Sequence, residues 1–520
     1  VCTTAKSTEL NPPASMATEI KTATATGRDT VNGHVNGTLN RARKTAPLPP
    51  DTNGKPVQPA KPPPYRHTFA VHSTSRASCL SHDSQASPSF LGFRNLMALV
   101  LVVSNLRLMI ENFKKYGVLI CIRCHDYRRQ DVIYGSILYF LVPCHLFVAF
   151  IIEYAASEQA RGALFRAQKR ASDQTQARSK ELGTISATWY FIAFAHGVNA
   201  SMNLVIATWV VYYHIHHPGI GTLCELHAVI VWLKTCSYAF TNRDLRHALL
   251  NPDKEAEPDL YKDCPYPKNV TLKNLCYFWW APTLVYQPVY PRTEHIRWGF
   301  VFKRGVEVVA LSVVIWVASA QYAVPLLQNS LGGISELDVT TIVERLMKLS
   351  TISLFCWLAG FFALFQSFLN GLAEIMRFGD REFYGDWWNS HSVRSYWTSW
   401  NKPVSQFMKR HIYSPMIGRG VPPTVAQIIT FVFSGVLHEL LVGVPTHNII
   451  GVAFAGMMFQ LPLIFLTDPL KKMKGINGKL LGNLIFWVSF CLVGQPLAAL
   501  LYFFAWQAKY GSVSKPQLWK

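Results

Sequence analysis

The chain has 520 residues, 50% hydrophobic and 13% aromatic, with only 15% charged and a formal net charge of +20. Its apolar residues fall in repeated long blocks, which excludes an ordinary soluble domain and indicates a polytopic membrane protein. The basic residues lie in the N-terminal tail and between apolar runs, where phospholipid headgroups or an anionic small molecule would meet them, so no nucleic-acid partner is expected.

Residues 1–88 are rich in Thr, Ser, Pro, Lys and Arg, as in Lys61-Pro62-Pro63-Pro64. Such a segment cannot bury enough apolar surface to fold alone and reads as a disordered cytosolic tail. It has no early apolar run of the kind a cleaved secretory signal needs. Residues 89–510 read as one membrane domain, followed by a short tail, 511–520.

A helix needs about 20 apolar residues to cross a bilayer. Runs that meet this fall at 91–110, 132–152, 187–213, 219–240, 304–328, 346–376, 425–445, 449–467 and 480–508, about nine crossings in an all-α protein. The first carries Arg94 and Arg107, whose long side chains can reach the interface from near a span end. The run at 346–376 exceeds one crossing and is expected to tilt.

Eleven scattered cysteines do not make a disulfide framework. Cys121-Ile122-Arg123-Cys124-His125 matches a short haem-attachment pattern that arises readily by chance, and a juxtamembrane loop is the expected reading. His214, His216 and His217 end an apolar run before Pro218-Gly219 and read as interfacial, so no metal is expected.

The connections 153–186 (Arg161, Arg166, Lys169, Arg170, Arg178, Lys180) and 471–479 (Lys471, Lys472, Lys474, Lys479) are strongly basic, and by the positive-inside rule both face the cytosol. The N-terminal tail, 241–303 and 377–424 then share that side. Lys114, Lys115, Arg123, Arg128 and Arg129 in the first connection run against this assignment.

Residues 377–424 mix charges with Trp387, Trp388, Trp397 and Trp400, followed by Lys409, Arg410, His411 and Tyr413. That composition suits an interfacial belt as well as a binding surface. Just before it, Gln366, Asn370 and Glu374 recur every four residues and form one polar stripe on an apolar helix, expected to bond neighbouring helices. Just after it, His438 lies inside the apolar run Phe433–Val442. An ionisable group in hydrocarbon reads as functional by default, and a neutral imidazole there can serve as general base. Neighbouring helical positions project about 100° apart, so His438 and Glu439 face different surroundings. Position 442 is Val, so His438-Glu439 does not begin a zinc-protease motif. With no nucleophile elbow or phosphate loop visible, direct transfer of an activated acyl group to an alcohol is the simplest chemistry.

Three stretches together, Phe378 to Asn389 (containing Phe383-Tyr384-Gly385-Asp386-Trp387-Trp388-Asn389), Trp400-Asn401-Lys402-Pro403-Val404 and His438-Glu439, strongly resemble the membrane-bound O-acyltransferase superfamily, in the branch holding acyl-CoA:diacylglycerol and acyl-CoA:sterol acyltransferases. Gln328-Asn329-Ser330, Glu344 to Leu349, Tyr413 to Gly420 and Leu492 to Pro496 look more like the diacylglycerol type than the sterol type. The resemblance covers about residues 90–508.

It implies that His438 is the catalytic base, with Asn401 placing or polarising the reacting groups and Glu439 as a further catalytic candidate. It also implies that Phe383, Tyr384, Asp386, Trp387, Trp388, Asn389, Trp400, Arg410 and Tyr413 shape an acyl-CoA site, and that Gln460 and Gln495 line an acceptor tunnel. Ser405 stands where the family often has His, which puts one secondary contact in doubt. The resemblance further implies an endoplasmic-reticulum enzyme, a dimer or tetramer, using acyl-CoA as co-substrate with no permanently bound cofactor. Diacylglycerol is the expected acceptor and a sterol the alternative. A lipid transporter or scramblase, from another class, would use the same polar groups along a conduction path, but no internal repeat supports it.

Overall fold

In the computed structural model of the chain, residues 91–120, 127–170, 175–250, 259–330, 339–472 and 476–514 are described. Among them the protein is helical, without strands; a single isolated bridge pairs Arg292 with Phe378. The helices are α1 (Leu91–Tyr116), α2 (Arg129–Leu141), α3 (Cys144–Arg170), α4 (Thr175–His214), α5 (Pro218–Leu250), α6 (Leu272–Trp280) and α7 (Trp298–Ala318). They continue with α8 (Val339–Phe361), α9 (Val393–Ser399), α10 (Lys402–Met408), α11 (Pro423–Gly443), α12 (Val452–Thr467), α13 (Ile476–Val488) and α14 (Gln495–Ser514).

α2 and α3 form one rod broken at Pro143, whose ring cannot continue the amide ladder. Three other long rods carry a wide π-turn: α7 continues through Ser319–Ala323, α8 through Phe362–Phe368, and α13 into α14 through Ser489–Gly494. The basic stretch 153–186, expected as a connection, is mostly helix, since α3 runs to Arg170 and α4 begins at Thr175. Hydropathy marks only the part of a helix inside the bilayer, not the turns that project beyond it.

Eight helices among the described residues are long and apolar enough to cross a membrane, and α12 is shorter at 16 residues. Contacts between chain-distant connections show how the crossings alternate. On one face Gly379 N donates to Pro291 O at 2.8 Å, Val393 N to Thr467 Oγ1 at 3.1 Å and Asn483 Nδ2 to Ser390 O at 2.9 Å. On the other, Leu119 N donates to Gln321 Oε1 at 3.0 Å, His216 N to Asp131 Oδ1 at 3.0 Å and Lys509 Nζ to His447 O at 2.9 Å. The end of α12 lies on the first face while its start follows His447 on the second. Despite its length, α12 runs from face to face, which accounts for the ninth expected crossing.

On the rod that carries α8 on through the π-turn to Ile375, the polar stripe bonds neighbouring segments at two of its three positions. Glu374 is buried and accepts from the Arg297 backbone N–H at 2.8 Å and guanidinium at 2.8 and 3.0 Å, and it also pairs with Arg381. Gln366 Oε1 accepts from Tyr384 at 2.6 Å. Asn370 instead turns back on its own rod and donates to the carbonyls of Phe365 and Gln366 in the π-turn.

A second polar device was not legible in the sequence. Lys234, buried on α5, donates to Phe278 O, Trp279 O and Ala281 O at 2.8, 2.9 and 2.8 Å. A cation placed at the C-terminal end of α6 answers both the helix dipole and carbonyls that have no partner within the helix. Nearby, buried Glu153 pairs with Arg246 and accepts from Tyr266 at 2.8 Å, joining α3, α5 and the connection before α6.

Candidate active site around His438

His438 lies 15 residues into α11, about 22 Å along the helix from Pro423. Its Nδ1 is 2.7 Å from Ser434 O, one turn earlier. A carbonyl can only accept, so Nδ1 carries the hydrogen and the neutral ring presents Nε2 as a lone-pair acceptor. Nε2 has no hydrogen-bond partner among the described residues, and the ring is half-buried. A base needs such an arrangement: one nitrogen fixed, the other free.

Glu439 has a different task. Its Oε1 accepts from Gly451 N at 2.9 Å, while Oε2 accepts from Phe454 N at 3.2 Å and Tyr502 Oη at 2.8 Å. The carboxylate thus caps the N-terminus of α12, a favourable place for negative charge, and ties it to α14. With its oxygens engaged in this way, Glu439 fits a structural role better than the catalytic one the resemblance implied. Gly443, one turn on, leaves room for it: a Cβ there would lie 2.9 Å from Glu439 Oε1 and 3.1 Å from Asn448 O. Gly443→Ala should therefore cost about 1 kcal/mol by overpacking, seen as a lower melting temperature in detergent; an unchanged melt would mean that the carboxylate can move aside freely.

Asn401 is the N-cap of α10 and its Oδ1 accepts from Val404 N at 3.2 Å. The cap fixes which way the amide points, so Nδ2, without a partner among the described residues, remains a donor. α10 packs into the bundle beside the histidine helix, since Phe407 and Met408 share one apolar cluster with Leu437 of α11 and with Val229 and Leu233 of α5. Ser405, in the same helix, donates its hydroxyl back to Lys402 O at 3.2 Å. It does not extend outward as a histidine could.

The aromatic motif divides into two sets. Phe383 and Trp387 are buried, and Trp387 packs against Trp357, Phe361 and Trp487 at centroid distances of 5.1, 5.2 and 5.9 Å. Trp400 joins the same cluster, stacked on Tyr396 at 5.9 Å with an 8° interplanar angle. Of these three, expected to shape an acyl-CoA site, Phe383 and Trp387 are enclosed by packing, whereas Trp400 stays half-buried. Asp386, Trp388 and Asn389 are exposed, while Tyr384 is tied to α8 through Gln366. The segment is also clamped from the α6–α7 connection, where the Arg292–Phe378 bridge is flanked by Thr293 N donating to Arg377 O at 3.0 Å and Arg377 Nε donating to Thr293 O at 2.7 Å.

Beyond α10 a π-turn, Lys409–Tyr413, carries exposed Lys409 and Arg410 and half-buried Tyr413, none with a side-chain partner among the described residues. His411, between them, faces inward, and its Nε2 lies 2.7 Å from Ser237 Oγ of α5. Burial, reinforced by Arg410 and Arg243 and opposed by Asp244, pushes its imidazole down to about 4. Gln460 accepts from Trp397 Nε1 at 3.3 Å and donates to Gly456 O at 3.2 Å, whereas half-buried Gln495, opening α14, makes no side-chain bond among the described residues.

Sequence reasoning missed Tyr502, the third partner of Glu439, and gave Ser434 no role. Ser434 acts through its backbone carbonyl, which no side-chain identity signals, and nothing local signalled Tyr502. Cys121 to His125 lie outside the described residues. His214 packs against Trp209 and Tyr134 while His216 faces His447, with centroids 5.4 Å apart. Among the described residues no group of three or more His, Cys, Asp or Glu side chains is arranged to hold a metal ion.

Residues 256–504, which contain the stretches 378–389 and 400–404 and the histidine helix, match the model of the MBOAT, membrane-bound O-acyltransferase family. The chain is 37% identical over 444 residues to diacylglycerol O-acyltransferase 1A of Glycine max, covering 84% of this chain and 82% of that protein. The chain belongs to the membrane-bound O-acyltransferase family. It is similarly 36% identical over 453 residues to diacylglycerol O-acyltransferase 1 of Arabidopsis thaliana, covering 86% of this chain and 80% of that protein. With diacylglycerol O-acyltransferase 1-2 of Oryza sativa subsp. japonica it shares 36% identity over 442 residues, 84% of this chain and 86% of the relative. In this geometry the Nε2 of His438 can accept a proton and the oriented amide of Asn401 can donate a hydrogen bond.

Proposed function

We propose that the chain is an acyl-CoA-dependent diacylglycerol O-acyltransferase with His438 as general base. The observation that carries this is the Nδ1 hydrogen bond to Ser434 O, which leaves Nε2 as the acceptor inside an apolar helix of a family member. Nε2 takes the proton from the free hydroxyl of diacylglycerol as its oxygen attacks the thioester carbonyl carbon. The Asn401 amide donates to the oxyanion of the tetrahedral intermediate. The C–S bond then breaks, the proton passes from the imidazolium to the CoA thiolate, and triacylglycerol and CoA leave.

The physical properties of the substrates suit this layout. Acyl-CoA has an anionic, hydrated head and a long apolar tail, so its head docks at the face carrying Lys409, Arg410 and Tyr413 while its chain runs among the helices. The basic connections support assigning that face to the cytosol, and an endoplasmic-reticulum location and a homo-oligomer belong to the same reading. Diacylglycerol cannot leave the bilayer without a large hydrophobic cost and enters sideways. Exposed Trp388 and Asp386, with Asn401, Gln460 and Gln495, are the remaining contact candidates.

The test is acceptor choice. Purified protein given labelled oleoyl-CoA is expected to acylate diacylglycerol far faster than cholesterol or ergosterol. Equal or reversed rates would reject the acceptor assignment while leaving the acyl-transfer chemistry in place.

A further inference from the structure

The π-turn Lys409–Tyr413 is held to the bundle by a polar contact that the reaction itself does not use. His411 Nε2 lies 2.7 Å from Ser237 Oγ, and the same oxygen accepts from Tyr286 N at 2.9 Å. Were Nε2 protonated, the Ser237 hydroxyl hydrogen would have no acceptor in this contact. With Nε2 as acceptor all three groups are satisfied: Tyr286 donates to Ser237, and Ser237 donates to His411. The ring is further confined by Phe407 at 4.9 Å and Phe240 at 5.6 Å between centroids.

Three chain segments meet at this contact. Ser237 belongs to α5, Tyr286 to the α6–α7 connection that clamps the aromatic motif, and His411 to the turn that carries Arg410 and Tyr413. A π-turn has poorer intrinsic register than an α-helix and needs tertiary support to persist. Because His411 is adjacent to Arg410 and two residues before Tyr413, turning its ring inward fixes which way those two side chains, without a hydrogen-bond partner among the described residues, project.

We propose that His411 is a positioning residue for the anionic head of acyl-CoA, acting through its hydrogen bond to Ser237 to aim Arg410 and Tyr413 outward. This rests on the acyl-CoA reading above, though not on diacylglycerol as the acceptor. His411 touches no reacting atom, so its loss acts on binding of the thioester substrate and not on the chemical step.

The experiment uses the full-length protein in detergent, with His411→Ala, His411→Gln and Ser237→Ala variants. Acyl-CoA affinity is read by displacement of a fluorescent acyl-CoA without acceptor, and KM and kcat by turnover. His411→Ala is expected to weaken acyl-CoA binding and raise its KM about five- to tenfold, with kcat within about twofold. His411→Gln, whose amide oxygen can replace Nε2 as acceptor, should recover most of the affinity. Ser237→Ala should weaken binding similarly, and combining it with His411→Ala should add little, as expected for two ends of one contact.

A fall in kcat at unchanged KM, or full additivity of the two alanine variants, would overturn the proposal. If His411→Ala does not fold, the glutamine and Ser237 variants still decide it: tight binding in Ser237→Ala would sink the idea. Wild-type protein that binds acyl-CoA but does not acylate diacylglycerol would reject the acceptor reading alone. Wild-type protein that binds no acyl-CoA would overturn this proposal together with the reading beneath it.

Discussion

His438→Ala should lower turnover by about 10² to 10⁴-fold, the usual contribution of a positioned general base, while acyl-CoA binding and expression stay close to wild type. The expectation follows from the division of work on α11. Among the described residues the imidazole is hydrogen-bonded to its own helix, so removing it breaks no described hydrogen bond to another helix. The load-carrying interhelical bonds on this stretch belong to Glu439, which projects about 100° away and holds Gly451, Phe454 and Tyr502. The measurement is kcat with oleoyl-CoA and diacylglycerol beside acyl-CoA binding and the melting temperature of the same preparation. Joint loss of binding, stability and turnover would assign His438 a structural role instead. The converse variant, Glu439→Ala, should lower the melting temperature, because it leaves two amide donors at the start of α12 without an acceptor.

The second large effect is on stability. Lys234→Met keeps much of the apolar volume of the lysine stem but removes the ammonium that answers Phe278 O, Trp279 O and Ala281 O. An unsatisfied buried polar group costs about 1–3 kcal/mol, so three together should destabilise the protein by about 3 kcal/mol or more even if some carbonyls find water. Since Ala281 begins the connection leading to Tyr286 and the Arg292–Phe378 bridge, the loss should also loosen the clamp on the aromatic motif. Thermal unfolding in detergent and limited proteolysis between α6 and α7 would read both consequences. A wild-type melt for Lys234→Met would mean that water replaces the ammonium at little cost.

Much of the architecture was legible because membrane crossing is a local property. Length and hydropathy located the long spans, and the four-residue spacing of Gln366, Asn370 and Glu374 was enough to expect bonding at two of the three. The shorter α12 was expected as a crossing from its apolar run, yet only the contacts of His447 and Thr467 at opposite faces show that it traverses. His438 could be singled out because one ionisable group in an apolar helix is costly unless it has a use.

The aromatic motif shows where a residue pattern stops being informative. Seven consecutive positions looked like one binding surface, but Phe383 and Trp387 face the interior while Asp386, Trp388 and Asn389 do not. The segment is irregular apart from a short 3-10 turn at Trp387–Asn389. No fixed periodicity therefore tells which side chains turn inward, and the partners that bury Trp387 come from α8 and α13.

By itself the sequence indicated a polytopic membrane protein, the apolar runs where it crosses the membrane, and His438 as a histidine whose place in such a run calls for a purpose. Each of these follows from the energy of moving a residue and its immediate neighbours between water and hydrocarbon. Only the tertiary structure decided that Glu439 caps α12, that Lys234 closes α6, that Asn401 presents its Nδ2, and that His411 meets Ser237. Apart from the local cap that Asn401 makes on Val404, those are pairings between polar groups 12 to 174 residues apart, and in a medium without water a buried donor needs an acceptor wherever the packed helices bring one.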